Sequence, residues 1–142
     1  AIRERRTEIA VLKTLGYSRY WAQRQGVPYT PSGNSLIITG GSGTLDDIIA
    51  STERGILVTR FWYIRGVNNR TLLVTGLTRD GTFMVENGKI AYPVRNMRFN
   101  DSPLFMLNNL DAIGAPVRIS DGAAIPPMRV RDFNFASVSD AV

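Results

Sequence analysis

Apolar residues recur along this chain in two periods, and the switches between them mark out short helices and strands. In residues 1–15, Ile9, Leu12 and Leu15 fall near one face while Arg3, Glu4, Arg6 and Glu8 are polar, the spacing of an amphipathic helix. Gly16 follows where a helix C-terminus favours glycine. A connector containing Gly26, Pro28, Pro31 and Gly33 leads to a β-branched apolar run at Ser35–Thr39, which reads as a strand. Thr44 and Asp47 have the spacing of a capping box, predicting a helix from Leu45 to about Thr52 that buries Leu45, Ile48 and Ile49.

The run "GILVTRFWYIRGV" is the strongest strand signal. Alternation puts Ile56, Val58, Arg60, Trp62 and Ile64 on one face and Leu57, Thr59, Phe61, Tyr63 and Arg65 on the other. Both faces are largely apolar, which predicts a central strand whose arginines sit in a polar groove or interface. "RTLLVTGLT" gives another strand, and Asp80-Gly81 and Asn87-Gly88 read as tight turns. "TFMVE" and "KIAYPV" then pair across Asn87-Gly88, with Pro93 placed where no ladder bond is donated. Asp101-Ser102-Pro103 opens a helix carrying Leu104, Leu107 and Leu110 and closing at Gly114. "MRVRDFNFASV" supplies the last strand. About three short helices and six or seven mostly antiparallel strands make a β-rich α+β domain.

Composition narrows the chemistry. At 142 residues the chain is one domain's worth, and no apolar run is long enough to cross a membrane. No signal-peptide pattern appears, so a cytoplasmic location is expected. The net charge is +5, and 15 of the 17 basic residues are arginine. They are scattered along the chain, which argues against a focused nucleic-acid patch, although distant strands can assemble one. His and Cys are both absent. That removes the usual zinc ligands, the Ser-His-Asp and Cys-His systems, and disulfides. "GGSGT" lacks the Lys of a phosphate loop. No cofactor, metal ligand or catalytic residue is therefore assigned to this chain.

The strings "SRYWAQRQG", "TLDDIIASTERGILVTRFWYIRGVNNRTLLVTGLTRDGTFMVENGKIAYPVRNMRFNDSP" and "RVRDFNFASVSDAV" together resemble the C-terminal region of the TldD/PmbA family, over about residues 17–142. The resemblance implies a cytoplasmic zinc metallopeptidase system acting on unfolded or peptide-like substrates, often built as a two-subunit shell around its active site. It also implies an HExxxH zinc helix, which this sequence does not contain, and a Cys ligand near the C-terminus. Ser120 or Asp121 occupies that neighbourhood here. Residues 1–16, "RERRTEIAVLKTLG" within them, instead resemble a cytoplasmic segment of FtsX/MacB-type permeases. The implied organisation is an amphipathic extension over 1–16 and a TldD/PmbA-like C-terminal domain over 17–142.

Three functions follow as expectations. The first is a truncated or stand-alone C-terminal domain serving as shell, interface and cavity lining without its own active site. Arg60, Phe61, Tyr63, Arg65 and Arg70 are the residues expected to contact substrate or partner: the arginines because charge on a doubly apolar strand calls for a counterpart, Phe61 and Tyr63 as part of the sheet expected to meet a second copy. The second is a free-standing protein-binding module that recruits through an exposed sheet edge. The third is nucleic-acid binding, with "RFWYIR" stacking bases. The expected partners are an upstream peptidase subunit, a peptide substrate, or a second copy in a homo-oligomer joined through Ile2–Leu15 and the sheet bearing Phe61 and Tyr63.

Overall fold

A computed structural model describes residues 18–29, 36–120 and 122–139. The predicted helix at residues 1–15, the permease-like segment and Asp121 lie outside the described residues. The described residues fall into two compact units, one within residues 18–38 and 117–125 and the other within residues 39–116 and 126–139.

In the first unit, helix α1 (Arg19–Gln25) buries Ala22. A small sheet has the order β1 (Leu36–Ile37), β8 (Ala123–Ile125), β7 (Val117–Ser120). β1 runs parallel to β8, and β7 antiparallel to it.

The second unit holds the larger sheet. Its order is β10 (Phe135–Val138), β5 (Met97–Asp101), β3 (Leu73–Glu86), β2 (Arg54–Asn68), with β4 (Lys89–Pro93) also on β3. Every named pair in it is antiparallel. β6 (Leu110–Ile113) and β9 (Met128–Val130) form a separate antiparallel pair. Helices α2 (Leu45–Ala50) and α3 (Pro103–Asn108) are single short turns.

Several expectations are corrected by pairing. The central strand is β3, not β2, because among the described residues β2 is bonded to β3 alone. Apolarity on both faces of β2 therefore reflects exposure at an edge rather than enclosure. Asp80-Gly81 is not a hairpin turn. It is a bulge inside β3, where Arg79 to Thr82 spans one residue more than the facing Val58 to Arg60, and Asp80 takes a positive φ of 62°. The ladder with β2 continues on both sides of it, which holds the strand together. The helix beginning at Pro103 stops at Asn108, because Leu110–Ile113 are taken up by β9. The last strand is two strands, broken by a turn at Asp132 with φ 56°. Leu45 is exposed rather than buried, with α2 covering only part of Ile48 and Ile49.

Other expectations hold. Asn87 and Gly88 both have positive φ, 49° and 76°, between the paired Glu86 and Lys89. That is the geometry of the tight hairpin that the dipeptide favours. Ser102 caps α3 by accepting from the Leu104 amide, with Pro103 in the first turn.

The capping box of α2 is complete. The Thr44 hydroxyl accepts from the Asp47 amide at 3.1 Å, and the Thr44 amide and hydroxyl donate to Asp47 Oδ2 at 2.7 and 2.8 Å. The backbone bond first, and then the hydroxyl bond, hold the Asp47 carboxyl below the ordinary Asp range. A folded pKa lowered in this way adds stability that is fully present above the unfolded-state value. It is lost as pH falls through the lower folded value. Titration of the side-chain carboxyls by NMR should find Asp47 ionised where ordinary Asp is already protonating. Asp47→Asn should remove that part of the acid limb, and an unshifted Asp47 would refute the box.

Candidate interaction face

The core of the larger sheet is aromatic and lies on one face of it. Phe99 on β5 is 1% exposed. It faces Gly76 on β3, and its ring crosses that glycine to meet Phe61 of β2 edge-on at 4.9 Å. Phe133 packs on both at 5.7 and 5.5 Å, and Phe135 on Phe133 at 4.8 Å. Phe61 thus points to the aromatic side, where it is itself still 41% exposed.

The opposite face is basic, and a bulge makes it so. Arg60 faces Arg79, Trp62 faces Leu77, and Arg65 faces Thr75. Three residues of β2 from Trp62 to Arg65 match two of β3, so Tyr63–Ile64 is a bulge with Tyr63 at φ 54°. The extra residue reverses the alternation. Arg65 joins Arg60 and Trp62 on one face, whereas simple alternation had placed it opposite Arg60. Arg98 of β5, which faces Leu77, lies on the same side and donates to the Thr75 hydroxyl at 3.4 Å.

The guanidiniums cluster around exposed rings. Arg60 and Arg79 stand 4.7 and 5.3 Å from the Trp62 ring centre. Arg65 lies 4.4 Å over Tyr63 and donates to its hydroxyl at 2.9 Å. Each such contact contributes about 0.5–1 kcal/mol at an exposed site. Asp80, placed by the β3 bulge, reaches both Arg60 at 2.6 Å and Arg79 at 3.6 Å. It offsets the like-charge opposition of the two arginines across the ladder. All three side chains are about half exposed or somewhat less, so these bridges contribute little to stability.

Of the five expected contact residues, Arg60, Tyr63 and Arg65 share this neighbourhood. Phe61 turns to the aromatic core, and Arg70 sits in the turn after β2, its amide donating to Asn68 Oδ1. Trp62, Arg79 and Arg98 were not singled out from sequence. Reading Asp80-Gly81 as a bulge would have placed Arg79 opposite Arg60. Beside the face, an open cleft of about 570 Å³ is lined by Arg79, Thr82, Phe83, Val94, Arg95 and Asn96 among others.

The chain has no His or Cys, and among the described residues no cluster of three or more acidic groups could hold a metal ion. A zinc site does not fit the described residues. Among the described residues, no helix is long and apolar enough to cross a membrane.

The larger unit is thus an antiparallel β-sheet with an aromatic cluster on one face and an open basic face on the other. The chain belongs to the PmbA/TldD family: residues 8–137 match the model of the PmbA/TldA metallopeptidase C-terminal domain. It is similar to the crystal structure of a protein described as a modulator of DNA gyrase from Bacteroides thetaiotaomicron. That match has 31% identity and a TM-score of 0.74, over 85% of this chain and 27% of that one. TldE from Thermococcus kodakarensis shares the fold at 17% identity and TM-score 0.64, over 84% of this chain and 30% of that one. A second protein described as a modulator of a DNA gyrase, from Thermotoga maritima, does so at 22% and 0.64, over 80% and 28%. The chain thus spans between a quarter and a third of the length of these solved structures. No curated protein sequence matches it. None of these comparisons supports the permease likeness of residues 1–16.

Proposed function

We propose that this domain is a non-catalytic wall of a TldD/PmbA-type metallopeptidase assembly in the cytoplasm. It docks an upstream peptidase segment or a second subunit and lines the space that holds a peptide substrate. The observation that carries this reading is the exposure of Trp62, Tyr63, Ile64 and Val67, at 42, 56, 55 and 58%, on one strand of a family domain. Large apolar side chains grouped in this way mark an interaction surface. A free-standing binding module would use the same surface, and differs only in the identity of its partner.

The test pairs two measurements. The chain alone should hydrolyse no peptide and hold no stoichiometric zinc, since a zinc hydrolase needs about three protein ligands and an activated water. Mixed with a family segment bearing HExxxH, it should co-elute as a stable complex. Chelator-resistant zinc at one per chain, or no complex with that segment, would defeat the reading.

A further inference from the structure

The outer edge of β2 is open. Among the described residues its ladder runs to β3 alone, and the backbone of residues 56–67 makes no other hydrogen bond. Such a row of free N–H and C=O groups is a template for another strand. Natural edges are often blunted by Lys, Pro or bulges; Arg54–Asn68 contains neither Lys nor Pro, and carries the Tyr63–Ile64 bulge. What it does contain is one sign of charge. Between positions 54 and 79 there are five arginines, at 54, 60, 65, 70 and 79, and no acidic residue. Asp80 is a single carboxylate shared by Arg60 and Arg79, so that pair keeps an excess positive charge, and Glu86 faces Arg54 across the ladder. Arg65 has only the Tyr63 ring and hydroxyl, and the Arg70 guanidinium has no partner among the described residues.

We propose that the outer edge of β2 takes up an extended acidic polypeptide segment as an added strand, with carboxylates on alternate residues meeting Arg60 and Arg65. This rests on the reading of the domain as a docking wall and names the chemistry of what docks. Arg65 and Arg60 share a face only because of the Tyr63–Ile64 bulge, so a strand with acids on one face and apolar residues on the other matches both. A second copy of this chain matches less well. Antiparallel pairing of two β2 strands about the Trp62–Tyr63 bond sets Arg60 against Arg65, and centring on either arginine sets it against itself; like charges directly opposed are destabilising. Single-stranded nucleic acid is also disfavoured, because the Trp62 and Tyr63 rings already carry guanidiniums that bases would have to displace.

Fluorescence anisotropy of the full chain with labelled short peptides tests this. The probes are alternating Glu-Val, alternating Lys-Val, a Glu-Val peptide N-methylated on alternate amides, and oligothymidine. The Glu-Val peptide should bind, with the Lys-Val and N-methylated peptides weaker by at least about tenfold. The double substitution Arg65→Glu with Arg70→Glu, at exposed positions and checked for folding by circular dichroism, should invert the preference toward Lys-Val. Equal binding of both peptides, indifference to N-methylation, tighter binding of oligothymidine, or a dimer that the peptide does not dissociate would each overturn the proposal. If the peptide fails while the chain still captures the HExxxH-bearing segment, this inference falls and the docking function stands. If that capture fails while the peptide binds, the reverse holds.

Discussion

Phe99→Ala should lower the unfolding free energy of the larger unit by about 3–5 kcal/mol, among the largest effects available to a single side chain here. The ring is 1% exposed and touches Phe61 and Phe133. Removing it therefore leaves a cavity at the centre of the aromatic face. In thermal denaturation this corresponds to a loss of roughly 12–40 °C. The ring occupies this place because Gly76 has no side chain. A Cβ there would lie 2.6 and 2.7 Å from the Phe99 ring carbons Cε1 and Cζ, and 3.2 Å from the Trp62 carbonyl. Gly76→Ala alone should therefore destabilise by roughly 1–3 kcal/mol through overpacking. In the Phe99→Ala background the closest clash is gone, so the alanine should cost much less. A double-mutant cycle should return a coupling of about 0.5–3 kcal/mol. Strict additivity of the two changes would mean that Phe99 does not cross Gly76.

Those two residues also show where sequence reasoning reaches its limit. Local signals were legible: the Thr44–Asp47 box, the Ser102-Pro103 helix start and the Asn87-Gly88 hairpin each depend on a few neighbouring residues. The α+β class followed from counting such segments. Strand order did not follow, because apolarity on both faces of β2 is equally consistent with enclosure and with an exposed edge. Only the ladder distinguishes them. Of the side chains on the basic face, Arg60 and Arg65 were marked in the sequence by their odd placement in an apolar strand. Their grouping with Trp62, Arg79 and Arg98 depends on two bulges, each a single residue of register that changes which side chains share a face. Asp80-Gly81 has the composition of a turn, and long-range pairing with Val58–Arg60 makes it a bulge. That pairing spans about twenty positions, beyond any local pattern.

A second large effect is expected at Arg129, which no pattern marked. From β9 its Nε donates to Asp111 on β6 at 2.7 Å. Its Nη1 donates to the Ser51 carbonyl at 2.9 Å and to the Ser51 and Thr52 hydroxyls at 3.0 and 3.1 Å. Ser51 is the C-cap of α2, so the guanidinium meets the negative end of that short helix and ties it to the β6–β9 pair. The Arg129 and Asp111 side chains are only 29% and 25% exposed, so water replaces the lost bonds incompletely. Arg129→Ala should destabilise by roughly 2–3 kcal/mol, since bonds to charged groups exceed neutral ones and Asp111 is left half-buried without its main partner. Arg131, at 3.9 Å and largely exposed, is too distant to replace it. Arg129→Lys should recover only part of the loss, because one ammonium cannot span the carboxylate and the helix end with the planar fork of a guanidinium. Chemical denaturation of wild type, Arg129→Ala, Arg129→Lys and Asp111→Asn would measure this. Full rescue by lysine would reduce the contact to simple charge pairing. An Arg129→Ala loss no larger than that of Asp111→Asn would show that the tie to α2 contributes nothing.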